Sequence, residues 1–271
     1  MRRSLAALVV FVGLSLCAAP VLAGSVVIKG STTVLPIAQK VAEKFMDQYP
    51  DIDVSISGGG SGNGIKALID GTTDIADASR FIKDKEVKRA VDNGHYPVPF
   101  GVALDSIIPV VHPSNSVSDL SHGQLKAIYE GEVENWQDVG GPDRPIVVIT
   151  RDTSSGTYEV WEDIVLEGAR VTPRAQLLAS NGAVAQAVAK NKNAIGYIGI
   201  GYLNKDLKNV SVDGVLGTKA TTSSGEYPVS RTLYMFTDGW PTGETKLFIN
   251  YVLHPDKGQP FVDEVGYVSL Y

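Results

Sequence analysis

The stretch Val26-Val27-Ile28-Lys29-Gly30-Ser31-Thr32-Thr33-Val34-Leu35-Pro36-Ile37 carries the pattern on which the rest of the chain is built. Val26–Lys29 reads as a strand, and Pro36–Tyr49 as a helix with Ile37, Val41 and Phe45 along one face. Between the two lie a glycine and three hydroxyl residues. A helix start leaves backbone N–H groups without partners and carries partial positive charge, so a loop of small residues in that place is a ready anion site.

The pattern recurs downstream. Val54–Ser57 is a second strand, Ile65–Asp70 a short helix ended by Gly71, Asp74–Ala78 a strand and Lys83–Asn93 a charged surface helix. Val98–Val111 is a long apolar extended run, interrupted by Asp105-Ser106. Ser121–Glu130, Thr157–Glu167 and Asn181–Lys190 read as helices, and Ile146–Thr150 and Ala194–Ile198 as buried strands. After the polar stretch Gly217–Glu226, Val229–Thr237 is again extended, and Thr242–Leu253 and Pro260–Val265 are helices. This alternation predicts an α/β fold with a largely parallel sheet covered on both faces. The two long extended segments flank a central block. The expected architecture is therefore two Rossmann-like lobes joined by two crossing strands, residues 24–104 with 230–271 forming lobe I and 105–229 lobe II. Such lobes can close on a ligand by hinge motion.

Two more loops place small residues ahead of a helix: Ser57-Gly58-Gly59-Gly60-Ser61-Gly62-Asn63-Gly64 and Arg151-Asp152-Thr153-Ser154-Ser155-Gly156-Thr157. The first is no nucleotide loop, because Ile65 follows Gly64 where lysine would be needed, and Asn63 spoils a nucleophile elbow around Ser61. Its missing side chains let backbone amides approach a ligand closely. Arg151 follows an apolar strand, at the strand end where open α/β sheets bind ligands. Its planar fork suits a tetrahedral anion. Three such loops in one chain point to a protein that encloses a small oxyanion.

Bulk composition narrows the classes. Met1-Arg2-Arg3, the apolar run Leu5–Leu16 and Val21-Leu22-Ala23 before Gly24 predict a secretory signal peptide over residues 1–23 and a periplasmic protein. Cys17 raises a lipoprotein alternative, disfavoured by Leu16. Without residues 1–23 the 24 basic residues become 22 against 30 acidic ones, a net charge of −8, and no cysteine remains. An acidic surface disfavours nucleic acid, so a bound anion must be held by local dipoles. His95, His112, His122 and His254 show no metal-ligand spacing, and neither metal nor cofactor is expected. Trp136 and Trp161 read as packing residues.

The sequence resembles the PstS family, substrate-binding components of phosphate ABC transporters with the type II periplasmic binding protein fold. The matching stretches are Gly30-Ser31-Thr32-Thr33-Val34-Leu35-Pro36, Ser57–Ile65, Asp74–Arg80, Gln124–Trp136 with Gly140-Gly141, Arg151–Thr157 and Asn193–Tyr197. The resemblance implies a non-enzymatic, monomeric receptor for inorganic phosphate that delivers it to membrane permease subunits. Position by position it implies ligand contacts from Ser31, Thr32, Thr33 and Val34, from Ser61, from Ser79 and Arg80, and from Arg151, Ser155, Gly156 and Thr157. The family's better-known branch has an aspartate after the third strand that accepts a proton from phosphate, where this chain reads Asp77-Ala78-Ser79-Arg80. Ser79 is the expected contact there; Asp77 either takes the acceptor role or pairs with Arg80. That departure keeps a binder of sulfate, molybdate or tungstate open as an alternative. A phosphate-ester hydrolase is remote, since no histidine neighbours these loops in sequence to activate a serine.

Overall fold

A computed structural model describes residues 24–271. The signal peptide expected over residues 1–23, and Cys17 with it, lie outside the described residues. The strands are β1 (Gly24–Gly30), β2 (Ile52–Gly58), β3 (Ile75–Ala78), β4 (Pro97–Val111), β5 (Asp119–Leu120), β6 (Val147–Arg151), β7 (Gln176–Leu178), β8 (Ala194–Gly199), β9 (Lys208–Asn209), β10 (Ser211–Val212) and β11 (Ser230–Asp238). The α-helices are α1 (Leu35–Gln48), α2 (Ser61–Ile69), α3 (Asp84–Asp92), α4 (His122–Glu130), α5 (Gly156–Ile164), α6 (Asn181–Lys190), α7 (Lys219–Ser223), α8 (Gly243–Leu253) and α9 (Gln259–Glu264).

The main sheet runs β2-β1-β3-β11-β4-β8-β6-β7, with β9 also on β4. Its two outer blocks are parallel: β1 with β2 and β3, β6 with β7 and β8. Between them β11 and β4 run antiparallel to their neighbours and to each other. β4 is the long element in the middle. It bonds β11 over Pro97–Ser106 and β8 over Ile107–Val111, so one continuous strand serves both blocks.

Apolar faces close each block. Ile37, Ala38, Val41, Ala42 and Phe45 of α1 are buried with Val26 and Ile28 of β1, and Phe45 meets Phe248 of α8 edge-on at 5.2 Å. In the other block Trp161 stacks on Tyr197 at 4.5 Å with Tyr129 beside both, and buried Trp136 donates Nε1–H to the Asn193 carbonyl at 2.9 Å. Both tryptophans pack.

Two local readings change. Helix α2 begins at Ser61, four residues before the expected Ile65, so the glycine-rich stretch is itself the first helical turn. Glycine is needed there because a side chain at Gly64 would strike the Lys29 carbonyl and Gly30 Cα. Helix α5 ends at Ile164 and not at Glu167, whose φ of 52° leaves the helical region. Strand β7, exposed at Gln176 and Leu177, was not expected from the sequence.

Candidate functional site

Four helices start on one shared polar interior. The N-terminal ends of α1, α2, α5 and α6, with the residue after β3, contribute side chains that are almost wholly buried: Thr33, Ser61, Ser79, Arg151, Ser155 and Thr157 are each exposed by 1% or less, and Asn181 not at all. Burial of so many polar groups is costly unless they bond to each other or to a ligand.

Contacts between the two blocks form the cluster. Thr33 Oγ1 lies 2.9 Å from Thr157 Oγ1, although the residues are 124 apart in sequence. Asn181 Nδ2 donates to Thr33 Oγ1 at 3.0 Å and to Thr32 Oγ1 at 3.2 Å, and Tyr202 O–H donates to the Thr32 carbonyl at 2.5 Å. Ser61 Oγ accepts the Ser79 amide at 3.0 Å and lies 3.2 Å from Ser79 Oγ. Gly156 fits beside this serine pair with no room for a side chain: an added Cβ would come within 2.8 Å of Ser79 Oγ. The first-turn amides of Gly156 and Thr157 belong to the group that helix geometry leaves unpaired.

Arg151 Nε donates to the Leu178 carbonyl at 2.9 Å and Nη2 to the Ala179 carbonyl at 3.1 Å. Of five N–H groups these use two, so the rest remain for an anion, and buried Nη1 has no partner in the protein. Burial lowers its pKa, with Asp152 opposing and Arg231 adding to the shift, and both side-chain hydrogen bonds of this cation go to backbone carbonyls.

Ser31 and Ser155 serve their helices. Ser31 Oγ accepts the amides of Thr33 (3.1 Å) and Val34 (3.4 Å), and Ser155 Oγ that of Tyr158 (3.2 Å). Val34 is buried and brings only backbone.

Arg80 is placed differently from expectation. Its Nη1 and Nη2 bond the two carboxylate oxygens of Glu86 at 2.8 and 2.7 Å, and its Nε faces Glu159 Oε2 at 2.9 Å, a contact of charge without good hydrogen-bond alignment. With two carboxylates around it, Arg80 bridges α3 and α5 and is not a member of the donor cluster. Asp77 does not pair with Arg80 either. Its Oδ1 is buried without a partner, and burial pushes its pKa well above the carboxylate range.

Sequence reasoning missed Asp105, Asn181, Tyr202 and Arg231. Arg231 on β11 bonds Asp105 on β4 through Nε (2.8 Å) and Nη2 (2.7 Å), and reaches Thr157 Oγ1 at 3.1 Å, Thr33 Oγ1 at 3.4 Å and the Ser79 carbonyl at 3.0 Å. The signal available was the Asp105-Ser106 interruption of an apolar strand.

Two parallel blocks joined by a crossing pair of strands, with helix starts from both gathered around buried hydroxyls and a guanidinium, define an anion-binding protein of the two-lobed receptor class. The comparisons with known proteins agree. The family model for a PBP superfamily domain matches residues 18–256. The chain is 33% identical over 251 residues to the phosphate-binding protein PstS of Bacillus subtilis, covering 91% of this chain and 81% of that protein. It is 36% identical to the protein of the same name in Staphylococcus epidermidis, covering 92% and 79%. A Clostridium perfringens protein described as a phosphate ABC transporter substrate-binding protein, solved with bound phosphate, superposes with a TM-score of 0.85 at 34% identity over 92% of this chain and all of that one. An ABC-type phosphate transport receptor from Vibrio cholerae gives a TM-score of 0.74 at 32% identity, covering 90% and 99%. The chain belongs to the PstS family of phosphate-binding proteins, within the PBP superfamily.

Proposed function

We propose that this chain is an extracytoplasmic receptor that closes on inorganic phosphate between two lobes, residues 24–104 with 230–271 and residues 105–229, and presents it as a monomer to the permease subunits of an ABC importer. One observation carries the reading: Thr33 and Thr157, each at a helix start in a different block, meet at 2.9 Å, and Asn181, which bonds Thr33, follows by two residues the Ala179 carbonyl that holds buried Arg151, whose Nη1 has no partner in the protein. A ligand bridging those groups favours the closed arrangement over any in which the blocks part, which is how binding becomes a shape that a transporter can read. The names of the relatives support phosphate as that ligand. Among the described residues no helix is long and apolar enough to cross a membrane, in keeping with a receptor that works beside a separate permease.

Selectivity for phosphate over sulfate needs an acceptor for the ligand's proton. The Ser61–Ser79 pair supports that role. Ser61 Oγ already accepts one N–H, and a shared hydrogen between the two hydroxyls still leaves lone pairs on Ser79. Binding without catalysis also fits the histidines, which bond elsewhere: His95 with Asp238, His112 with Ser114, His254 with the Asp256 amide.

Calorimetric titration of the purified chain with phosphate, sulfate, molybdate and tungstate tests the reading. Phosphate is expected to bind far more tightly than the other three. Tight sulfate binding with weak phosphate binding would overturn the assignment.

A further inference from the structure

We infer that Arg231, held by Asp105, is a positioning residue that fixes the hydroxyls of Thr33 and Thr157 as hydrogen-bond donors toward the anion. The inference deepens the phosphate-receptor reading and rests on it.

Hydrogen counting leads there. A hydroxyl has one hydrogen and two lone pairs, whereas guanidinium and amide nitrogens only donate. Arg231 Nη2 has two hydrogens, one of them held by Asp105 Oδ2 at 2.7 Å. The other is shared between the two threonines, with Thr33 Oγ1 at 3.4 Å as its longer branch, while Asn181 Nδ2 donates to Thr33 Oγ1 at 3.0 Å. The 2.9 Å contact between Thr33 Oγ1 and Thr157 Oγ1 takes the hydrogen of one of the two hydroxyls. Thr157 in turn receives Arg231 Nη2 at 3.1 Å. Each threonine hydroxyl thus has an N–H donor on one lone pair, which biases its own hydrogen toward a partner on the other side. When a ligand separates the two hydroxyls, each still has N–H donors behind it and turns its hydrogen forward. That side of the site therefore favours bare, unprotonated oxygens, while the Ser61–Ser79 side can take a protonated one.

Asp105 explains how the guanidinium stays in place. It is fully buried, bonds Nε and Nη2 of Arg231, and its Oδ1 accepts the Ile200 amide at 2.9 Å. Burial pushes the Asp105 pKa up and the nearby arginine opposes it. A buried ion pair is a poor source of stability, because desolvation offsets most of its attraction. Its position favours another role: it lies where β4 and β11 pair in register, and touches the helix-start threonines of both blocks. The ionisable neighbours of the pair are Arg151, which stays charged, and Tyr202, Tyr227 and Tyr267, whose pKa values burial raises, Tyr202 to about 12. Burial also raises the pKa values of Asp105 itself and of Asp77, two residues before Ser79, so the effect of the pair is read from the difference between each variant and the unaltered chain at the same pH.

The test compares the unaltered chain with Asp105→Asn/Arg231→Gln, which removes both charges together, and with Arg231→Lys, which keeps charge but loses the fork. Inorganic phosphate is titrated into each by calorimetry at about pH 8, where the dianion dominates, and at about pH 5.5, where the monoanion does. The double variant is expected to lose roughly 30-fold or more at the higher pH and several times less at the lower, since freed hydroxyls can accept from a protonated oxygen. Arg231→Lys is expected to fall between. A packing defect alone would weaken both protonation states equally, so equal losses, or no loss, overturn the inference. If the double variant fails to fold, the same two-pH comparison on Arg231→Lys decides. Should the unaltered chain itself not bind phosphate, the functional reading fails and not this refinement.

Discussion

Gly62 donates its amide to the carbonyl of Ser154 at 2.9 Å, and Ser154 Oγ, which also bonds Asp152 Oδ1, shares its hydrogen with the Gly59 carbonyl at 3.1 Å. This pair of bonds joins the loop after β2 to the loop after β6, so the two blocks touch at the rim of the cluster. Gly60 sits between them with φ of 100°, and a Cβ there would approach Ser154 Oγ to 2.5 Å and its carbonyl oxygen to 2.6 Å. Both the backbone conformation and the close approach exclude other residues. Gly60→Ala is predicted to hold the loops apart and weaken phosphate binding by about tenfold or more, a loss of about 1.4 kcal/mol. Titration calorimetry checks the affinity and circular dichroism the fold. Undiminished affinity would mean that these loops do not meet around the ligand.

Arg151 offers a sharper case. Its bonds to the Leu178 and Ala179 carbonyls orient the guanidinium, and only a forked side chain can make both while still presenting N–H groups to an anion. Arg151→Lys retains the charge but is predicted to weaken phosphate binding by about 30-fold or more. Arg151→Ala should cost about 100-fold or more, the scale of one to two charge-assisted hydrogen bonds. Equal affinity of Arg151→Lys and the unaltered chain would sink the geometric part of this argument.

Arg80 leads to a prediction about rates. It reaches from Glu86 of α3 to Glu159 of α5, and Lys83 contacts the same Glu159 oxygen. Removing a bridge that exists only when the blocks are close should act on opening. Glu159→Gln is predicted to raise the phosphate dissociation rate several-fold with little change in association, since interface changes fall mostly on off-rates. Stopped-flow displacement measures both; an unchanged dissociation rate would exclude a latch.

The same cluster has a pH signature. Burial raises the Glu86 pKa, but Arg80 and the Lys83 amide more than offset it, leaving the carboxyl below its usual range. A depressed carboxylate contributes stability that is present above its unfolded value, about 4.3, and lost as pH falls through the folded value. The melting-temperature gap between the unaltered chain and Glu86→Gln should therefore be full near neutrality and shrink below about pH 4. A gap that is constant with pH would assign it to packing.

The loops were legible because their information is local. A strand end, a few small residues and an amphipathic run fix a helix start wherever the chain goes afterward, so Thr33, Ser61 and Thr157 could be singled out from sequence. The α2 start was misplaced because four residues of glycine, serine and asparagine look like loop, although the crossing of β1 demands glycine inside that helix. Arg231 and Asp105 were not legible as a pair. They are 126 residues apart and meet through the register of two antiparallel strands, which no local pattern encodes. Arg80 misled for the opposite reason: it adjoins Ser79 in sequence, yet its guanidinium lies between Glu86 and Glu159. Asn181 was visible only as the first residue of a helix.

Asp77 separates two accounts of phosphate recognition. It is 2% exposed, Oδ1 has no partner, and burial holds its pKa well above the unfolded value. For an acid shifted this way, folded and unfolded forms are both protonated below about pH 4, and the penalty grows as pH rises toward the folded pKa. Asp77→Asn is accordingly predicted to raise the melting temperature at about pH 8 and to make little difference near about pH 4. Because Asp77 bonds to no hydroxyl or guanidinium of the cluster, phosphate affinity should stay within about threefold, less than a typical net hydrogen bond to a charged group. Calorimetry and thermal melting on one variant read both quantities. If Asp77→Asn folds normally but loses phosphate, Asp77 accepts the ligand's proton in place of the Ser61–Ser79 pair, and the side chain must turn toward the anion on binding.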